Sequence, residues 1–140
     1  MQDTEARRLL ARAREAREKA YAPFSQFKVG AAILLADGRT FTGCNVECSS
    51  YGLTLCAERT AIACSVVEGG GEVVAVAIIA DTECPCPPCG ACRQWIMEWG
   101  PHAQVVMSNL RGDIEETTIG ALLPGAFTAG FFKAQPPGRS

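Results

Sequence analysis

Val73-Val74-Ala75-Val76-Ala77-Ile78-Ile79-Ala80 is a run without one polar side chain, and its reading decides the fold. A strand that alternates apolar and polar residues covers a core on one face only. A continuously apolar one predicts a strand buried on both faces of a sheet, with helices above and below. The flanking residues supply those helices. Upstream, Gly69-Gly70-Gly71 ends a helix predicted from Cys56 to Glu68, with Ala57, Ala61, Ile62 and Ser65 on its packed faces. Downstream, a proline-bearing loop from Asp81 to Pro88 leads into a helix from Cys89 to Trp99, stopped by Gly100-Pro101.

Further out the pattern repeats. Gln104 to Met107 predicts a second buried strand, Glu115 to Thr118 a short further one, and Ile119 to Leu123 a helical turn closed by Pro124-Gly125. Toward the amino terminus, Lys28 to Leu35 predicts a strand in which Gly30 and two alanines mark a close approach to the backbone. Asp37-Gly38 is a two-residue hairpin signal that returns the chain through Arg39 to Gly43. Leu9, Leu10, Ala13, Ala16 and Ala20 recur at helical spacing, predicting a helix from Asp3 to Ala20 that the Tyr21-Ala22-Pro23 segment breaks. Helices alternating with apolar strands, with a hairpin ahead of the crossovers, give a three-layer α/β/α sandwich on a mixed sheet of about five strands. The 140 residues fit one domain, and residues 135–140 read as a frayed tail.

Composition narrows the function. Hydrophobic residues make up 48% and charged ones 20%, so the chain is neither disordered nor fibrous. A net charge of -2 and a pI near 5.4 offer no basic surface to a polyanion, which favours a small-molecule substrate over nucleic acid. The amino-terminal stretch Met1 to Glu18 is charged, and no apolar run approaches the roughly 18 residues that span a bilayer. The expectation is a cytoplasmic protein without a membrane partner. Eight cysteines in a reducing compartment then point to metal ligation and free thiols rather than disulfides.

Two stretches concentrate that chemistry: Cys56-Ala57-Glu58-Arg59-Thr60-Ala61 and Pro88-Cys89-Gly90-Ala91-Cys92-Arg93-Gln94. Cys89 and Cys92 stand three apart at one helix start and Cys56 at another. Side chains lean toward a helix N-terminus, so one metal ion can be reached from both. Three thiolates leave a tetrahedral zinc ion a position open for chemistry. They also leave a net charge of -1 against Zn2+, and Arg59, on the same helical face as Cys56, is the candidate to offset it. Glu58 turns such a site toward catalysis, since a carboxylate there can take a proton and deliver it to a leaving amine; by itself, a Glu in a first helical turn is a common dipole stabiliser. Cys86-Pro87-Pro88-Cys89 imitates a redox pair, but the pair downstream fits a zinc pattern better. Cys44 and Cys64 read as small buried hydrophobes, His102 as an exposed loop residue, and Trp95 and Trp99 as core or subunit interface.

With CAE followed by PCGACRQ, the sequence resembles the zinc-dependent cytidine deaminases of the small homotetrameric type. The resemblance extends from Tyr21 to Phe127. It implies Cys56, Cys89 and Cys92 as ligands of one zinc ion per chain and Glu58 as the proton shuttle of a hydrolytic deamination at cytosine C4. The segment Tyr21 to Ala32 resembles an early motif whose second aromatic, Phe27, lies against the nucleoside, and Asn45-Val46-Glu47 resembles a segment that binds sugar hydroxyls. Leu122 to Phe127 resembles a late motif whose aromatic, Phe127, crosses a subunit interface to stack on the base. Ala57 and Tyr51 join these as implied substrate contacts, and Gln94 joins Arg59 beside the ligands. The implied reaction converts cytidine and deoxycytidine to uridine and deoxyuridine with loss of ammonia, as in pyrimidine salvage. Cys48 departs from the Asn that family members often carry after the Glu. The nearest rivals are a deaminase of a cytosine-bearing antibiotic, of blasticidin type, and a zinc-containing nucleoside-binding protein without catalysis.

Overall fold

The computed structural model describes residues 1–132; the expected tail lies outside the described residues. Five strands form one mixed sheet in the order β2-β1-β3-β4-β5. They are β1 (Val29–Leu35), β2 (Thr40–Cys44), β3 (Val73–Ala80), β4 (Gln104–Asn109) and β5 (Ile114–Thr118). Only β3 and β4 pair in parallel; β1 is antiparallel to both β2 and β3, and β5 is antiparallel to β4. The apolar run that opened the sequence is thus the middle strand, with Ala75 to Ala80 all buried.

Helices cover both faces, as the apolar run requires. On one side α1 (Asp3–Arg17) buries Ala6, Leu9, Leu10 and Ala13 against Ala32, Ala77, Ile79 and Val106. On the other, α2 (Ala57–Val67) and α3 (Gly90–Trp99) enclose the larger core, in which Ile62 and Ile96 meet Ile33, Val76, Ile78 and Val105. The short α4 (Ile119–Leu122) follows β5 and packs beside α3. Two glycines let the layers close. A Cβ on Gly30 would collide with the α1 backbone at Ala13 O, and one on Gly43 with Ala57 O and Ala61 N of α2.

The three-layer mixed sandwich matches the expected architecture, while several local details differ. The β1–β2 hairpin loop is three residues, Ala36, Asp37 and Gly38, because Leu35 N donates to Arg39 O and Gly38 takes φ 93°. A two-residue loop would not place that glycine in the left-handed region at its third position. Helix α1 stops at Arg17, three residues early, since Glu18, Lys19 and Ala20 tighten into turns and Tyr21 N pairs with Asn45 O. Cys64 is exposed rather than buried, because α2 turns Ala61, Ile62 and Ser65 inward and leaves Cys64 on its outer face.

Because β2 and β3 are both antiparallel to β1, they run the same way and end at the same edge of the sheet. The chain leaves β2 toward α2 and β3 toward α3, so both helices begin at that edge, where α/β proteins place their ligands. This is what brings Cys56 and Cys89 together.

Candidate active site

Cys56 and Cys89 are the N-cap residues of α2 and α3 and make no side-chain capping bond there. Their sulfurs lie 3.6 Å apart, and the Cys92 sulfur, one turn into α3, lies within 4.8 Å of both. Sulfurs bound at about 2.3 Å to a tetrahedral ion stand about 3.8 Å apart, so the spacing fits zinc, and the all-sulfur donor set suits it.

The charges are arranged for the same purpose. Cys56 is drawn down to about 5, first by a hydrogen bond from the Cys92 thiol and then, against burial, by the Arg59 guanidinium and Cys89. Cys92 is correspondingly pushed up by the proton it shares with Cys56 and by burial. Arg59 Nη2 donates to Cys56 Sγ at 3.5 Å and to Thr54 O at 3.2 Å. Its Nε is buried with no hydrogen-bond partner, an orphan cationic donor beside the thiolate cluster.

Glu58 is only 3% exposed. Burial, which penalises the charged form, raises its carboxyl to about 7, and the negative Cys56 adds to the rise. The carboxyl opens on a cavity of about 280 Å³ that Cys56 and Cys89 also line. Phe27, Asn45, Glu47 and Ala57 form the rest of the expected set in this cavity. Ala57 is fully buried, and Asn45 is fixed by accepting from Val29 N at 2.9 Å and donating to Phe27 O at 2.7 Å. Glu47 accepts from Phe24 N at 2.9 Å, Ser25 N at 3.2 Å and the Ser25 hydroxyl, which together hold its carboxyl below the usual range.

Two expected contacts do not reach this cavity within one chain. Tyr51 begins a single 3-10 turn, Tyr51–Leu53, that points it outward; it is 72% exposed and packs on Phe24 with ring centres 5.6 Å apart. Phe127 is 58% exposed and stacked on Phe131 with ring centres 5.7 Å apart. Gln94 Nε2 donates to Phe127 O at 2.7 Å, tying α3 to that late segment.

Six lining residues escaped the sequence reading: Ser25, Val29, Thr54, Ile78, Cys86 and Pro87. All but Cys86 sit on strand or loop positions where nothing in the spacing marks them as site residues. Cys86 had one in the doubled Cys-Pro pattern, but only the fold shows it turned into the cavity, where burial pushes its thiol up to about 11. Among the described residues Cys56, Cys89 and Cys92 are the only group of three or more side chains placed to hold a metal ion, and no helix is long and apolar enough to cross a membrane.

Comparison with known proteins agrees with this geometry. Residues 3–108 match the family model described as the cytidine and deoxycytidylate deaminase zinc-binding region. A cytidine deaminase of Halalkalibacterium halodurans is 55% identical over 122 residues, covering 86% of this chain and 92% of that protein. One of Mycobacterium tuberculosis is 42% identical over 127 residues, covering 91% and 92%. The crystal structure of cytidine deaminase from Burkholderia pseudomallei superposes with a TM-score of 0.84 at 50% identity, covering 91% of this chain and all of that one.

Proposed function

The chain belongs to the cytidine and deoxycytidylate deaminase zinc-binding family, and from that premise we propose that it deaminates cytidine and deoxycytidine hydrolytically, as a single cytoplasmic domain acting on the free nucleoside. The observation that carries this reading is the meeting of the Cys56, Cys89 and Cys92 sulfurs beside the buried Glu58 carboxyl, with Cys56, Cys89 and Glu58 lining one cavity of about 280 Å³.

Cys56, Cys89 and Cys92 would hold zinc, which supplies a Lewis acid that makes water nucleophilic at neutral pH. Arg59 balances the excess thiolate charge. Glu58 takes the proton that the attacking water gives up and hands it to N3 of the pyrimidine. It then carries a proton to the departing amine, so that ammonia leaves from C4. Phe27 packs on the base, Ile78 and Val29 line the cavity with apolar surface, and Asn45 and Glu47 take sugar hydroxyls. Holding the base this way replaces a bimolecular encounter with a fixed one.

The open side of the cavity and the outward aromatics support assembly as a homotetramer, in which a second copy's late aromatic segment completes the site. Tyr51 and Leu53 at 72% and 70% exposure, and Phe127 at 58%, are the surfaces we assign to contacts between copies. The acidic balance of the chain argues against nucleic acid as substrate. The test is the fall in ultraviolet absorbance when purified protein meets cytidine, run beside an ammonia assay. Turnover of cytidine and deoxycytidine is expected; turnover confined to another cytosine-bearing compound would overturn the substrate assignment.

A further inference from the structure

The expected sugar and base contacts are joined by one hydroxyl. Ser25 Oγ donates its proton to Glu47 Oε2 and accepts from Phe27 N at 3.0 Å. Phe24 N and Ser25 N both donate to Glu47 Oε1. From the other side Asn45 Nδ2 holds the Phe27 carbonyl. The peptide of the base-facing aromatic is therefore gripped at its N–H by Ser25 and at its carbonyl by Asn45, while the carboxyl next to it is gripped by Ser25 and the loop amides.

The intervening backbone is bent to permit this. Gln26 is the one non-glycine residue with positive φ among the described residues, at 56°, and its conformation is held by Gln26 N to Ala22 O at 3.0 Å and Nε2 to Pro23 O at 2.9 Å. A residue kept in the left-handed region is strained and persists where its surroundings enforce it. Here those bonds to Ala22 and Pro23 hold Gln26, with Ser25 beside it anchored on Glu47. Glu47 is itself on a connection rather than a strand or helix; its backbone N donates to Tyr21 O at 2.9 Å, and the loop donors hold its carboxyl. A carboxylate offers about four lone-pair sites; three donors already occupy Glu47, which leaves room for about one hydroxyl from a ligand.

We infer that Ser25 is a positioning residue for nucleoside binding: it aligns the Glu47 carboxylate with the Phe27 ring, so that sugar and base are received by one pre-formed unit. The inference rests on the nucleoside-deaminase reading and deepens it, since Ser25 touches neither the reacting atoms nor the metal-ligand sulfurs. Its loss acts on binding and leaves the chemical step alone.

The experiment compares steady-state kinetics on cytidine for the zinc-loaded wild type, Ser25→Ala and Ser25→Thr, with zinc content and melting temperature as controls on folding. Ser25→Ala is expected to raise KM about tenfold, the scale of a hydrogen bond to a charged group, with kcat within about twofold. Ser25→Thr keeps the hydroxyl and is expected to restore KM. In Ser25→Ala/Glu47→Gln the two effects are expected to be strongly non-additive, because both remove the same link. A wild type that turns over cytidine while Ser25→Ala keeps its KM, or loses kcat instead, overturns this inference alone. A folded, zinc-loaded wild type inactive on every cytosine nucleoside overturns the functional reading and the inference with it.

Discussion

The two halves of the cavity are built in opposite ways. The sulfur half hangs on the first turns of α2 and α3, elements locked to the sheet by fully buried Ala61, Ile62 and Ile96. The sugar half hangs on two connections, residues 21–27 and 45–55, joined by an isolated bridge at Tyr21–Val46 and by side-chain hydrogen bonds to Glu47 and Asn45, the second closed on itself at Val46–Leu55. Chemistry that tolerates little displacement is placed on rigid elements. Recognition, which sums several weaker contacts, is left to loops. The comparison predicts that damage to the first half removes zinc or turnover, whereas damage to the second raises KM.

The largest effect should come from the sulfurs. Cys89→Ala leaves two thiols at the site, so metal analysis should find no stoichiometric zinc, and deamination should fall to the limit of detection. Retained zinc with normal turnover would break the assignment of this half. Next comes Glu58→Gln, which keeps the shape but not the proton transfer. It should lower kcat by roughly 10²–10⁴-fold while zinc stays bound. A kcat unchanged in that variant would remove Glu58 from the mechanism.

Phe127→Ala sharpens the other half. It should raise KM about tenfold with zinc content unchanged, on the scale of a lost aromatic contact. Light scattering should give four copies per particle, and an active monomer insensitive to this substitution would contradict the shared site.

The smallest effect is on stability and runs with pH. Burial raises Glu58 from 4.5 to about 7, so the fold prefers its protonated form. That contribution is complete below the unfolded value and is lost as pH climbs through about 7. Metal-free Glu58→Gln should therefore unfold with the same free energy as metal-free wild type in acid. It should be more stable by up to about 3 kcal/mol near pH 8, as denaturant titrations at the two pH values would measure. Equal stability at both would show that the carboxyl is not buried as described.

The sequence made the first half of the site legible and the second only partly so, for a physical reason. Cys89, Cys92 and Cys56 announce themselves because helix starts put neighbouring ligands on one point, a local rule that spacing alone expresses. The continuous apolar run of β3 likewise forces helices onto both faces, which is why the layers were readable before the topology. Ser25 and Glu47 lie 22 residues apart and meet only because the chain folds back along Val46. Cys86 is in the cavity because of where β3 releases the chain. Tyr51 and Phe127 have the right chemistry in the motif but face outward in the single chain, a direction that spacing alone does not express. The hairpin loop missed its length by one residue because Asp-Gly serves two- and three-residue loops alike.

The most direct measurement of the central claim is cytidine turnover followed against zinc per chain, as metal is stripped with a chelator and added back. The account predicts a rate proportional to bound zinc, reaching its maximum at one ion per chain and restored on re-addition. Full turnover by protein holding no zinc would contradict it.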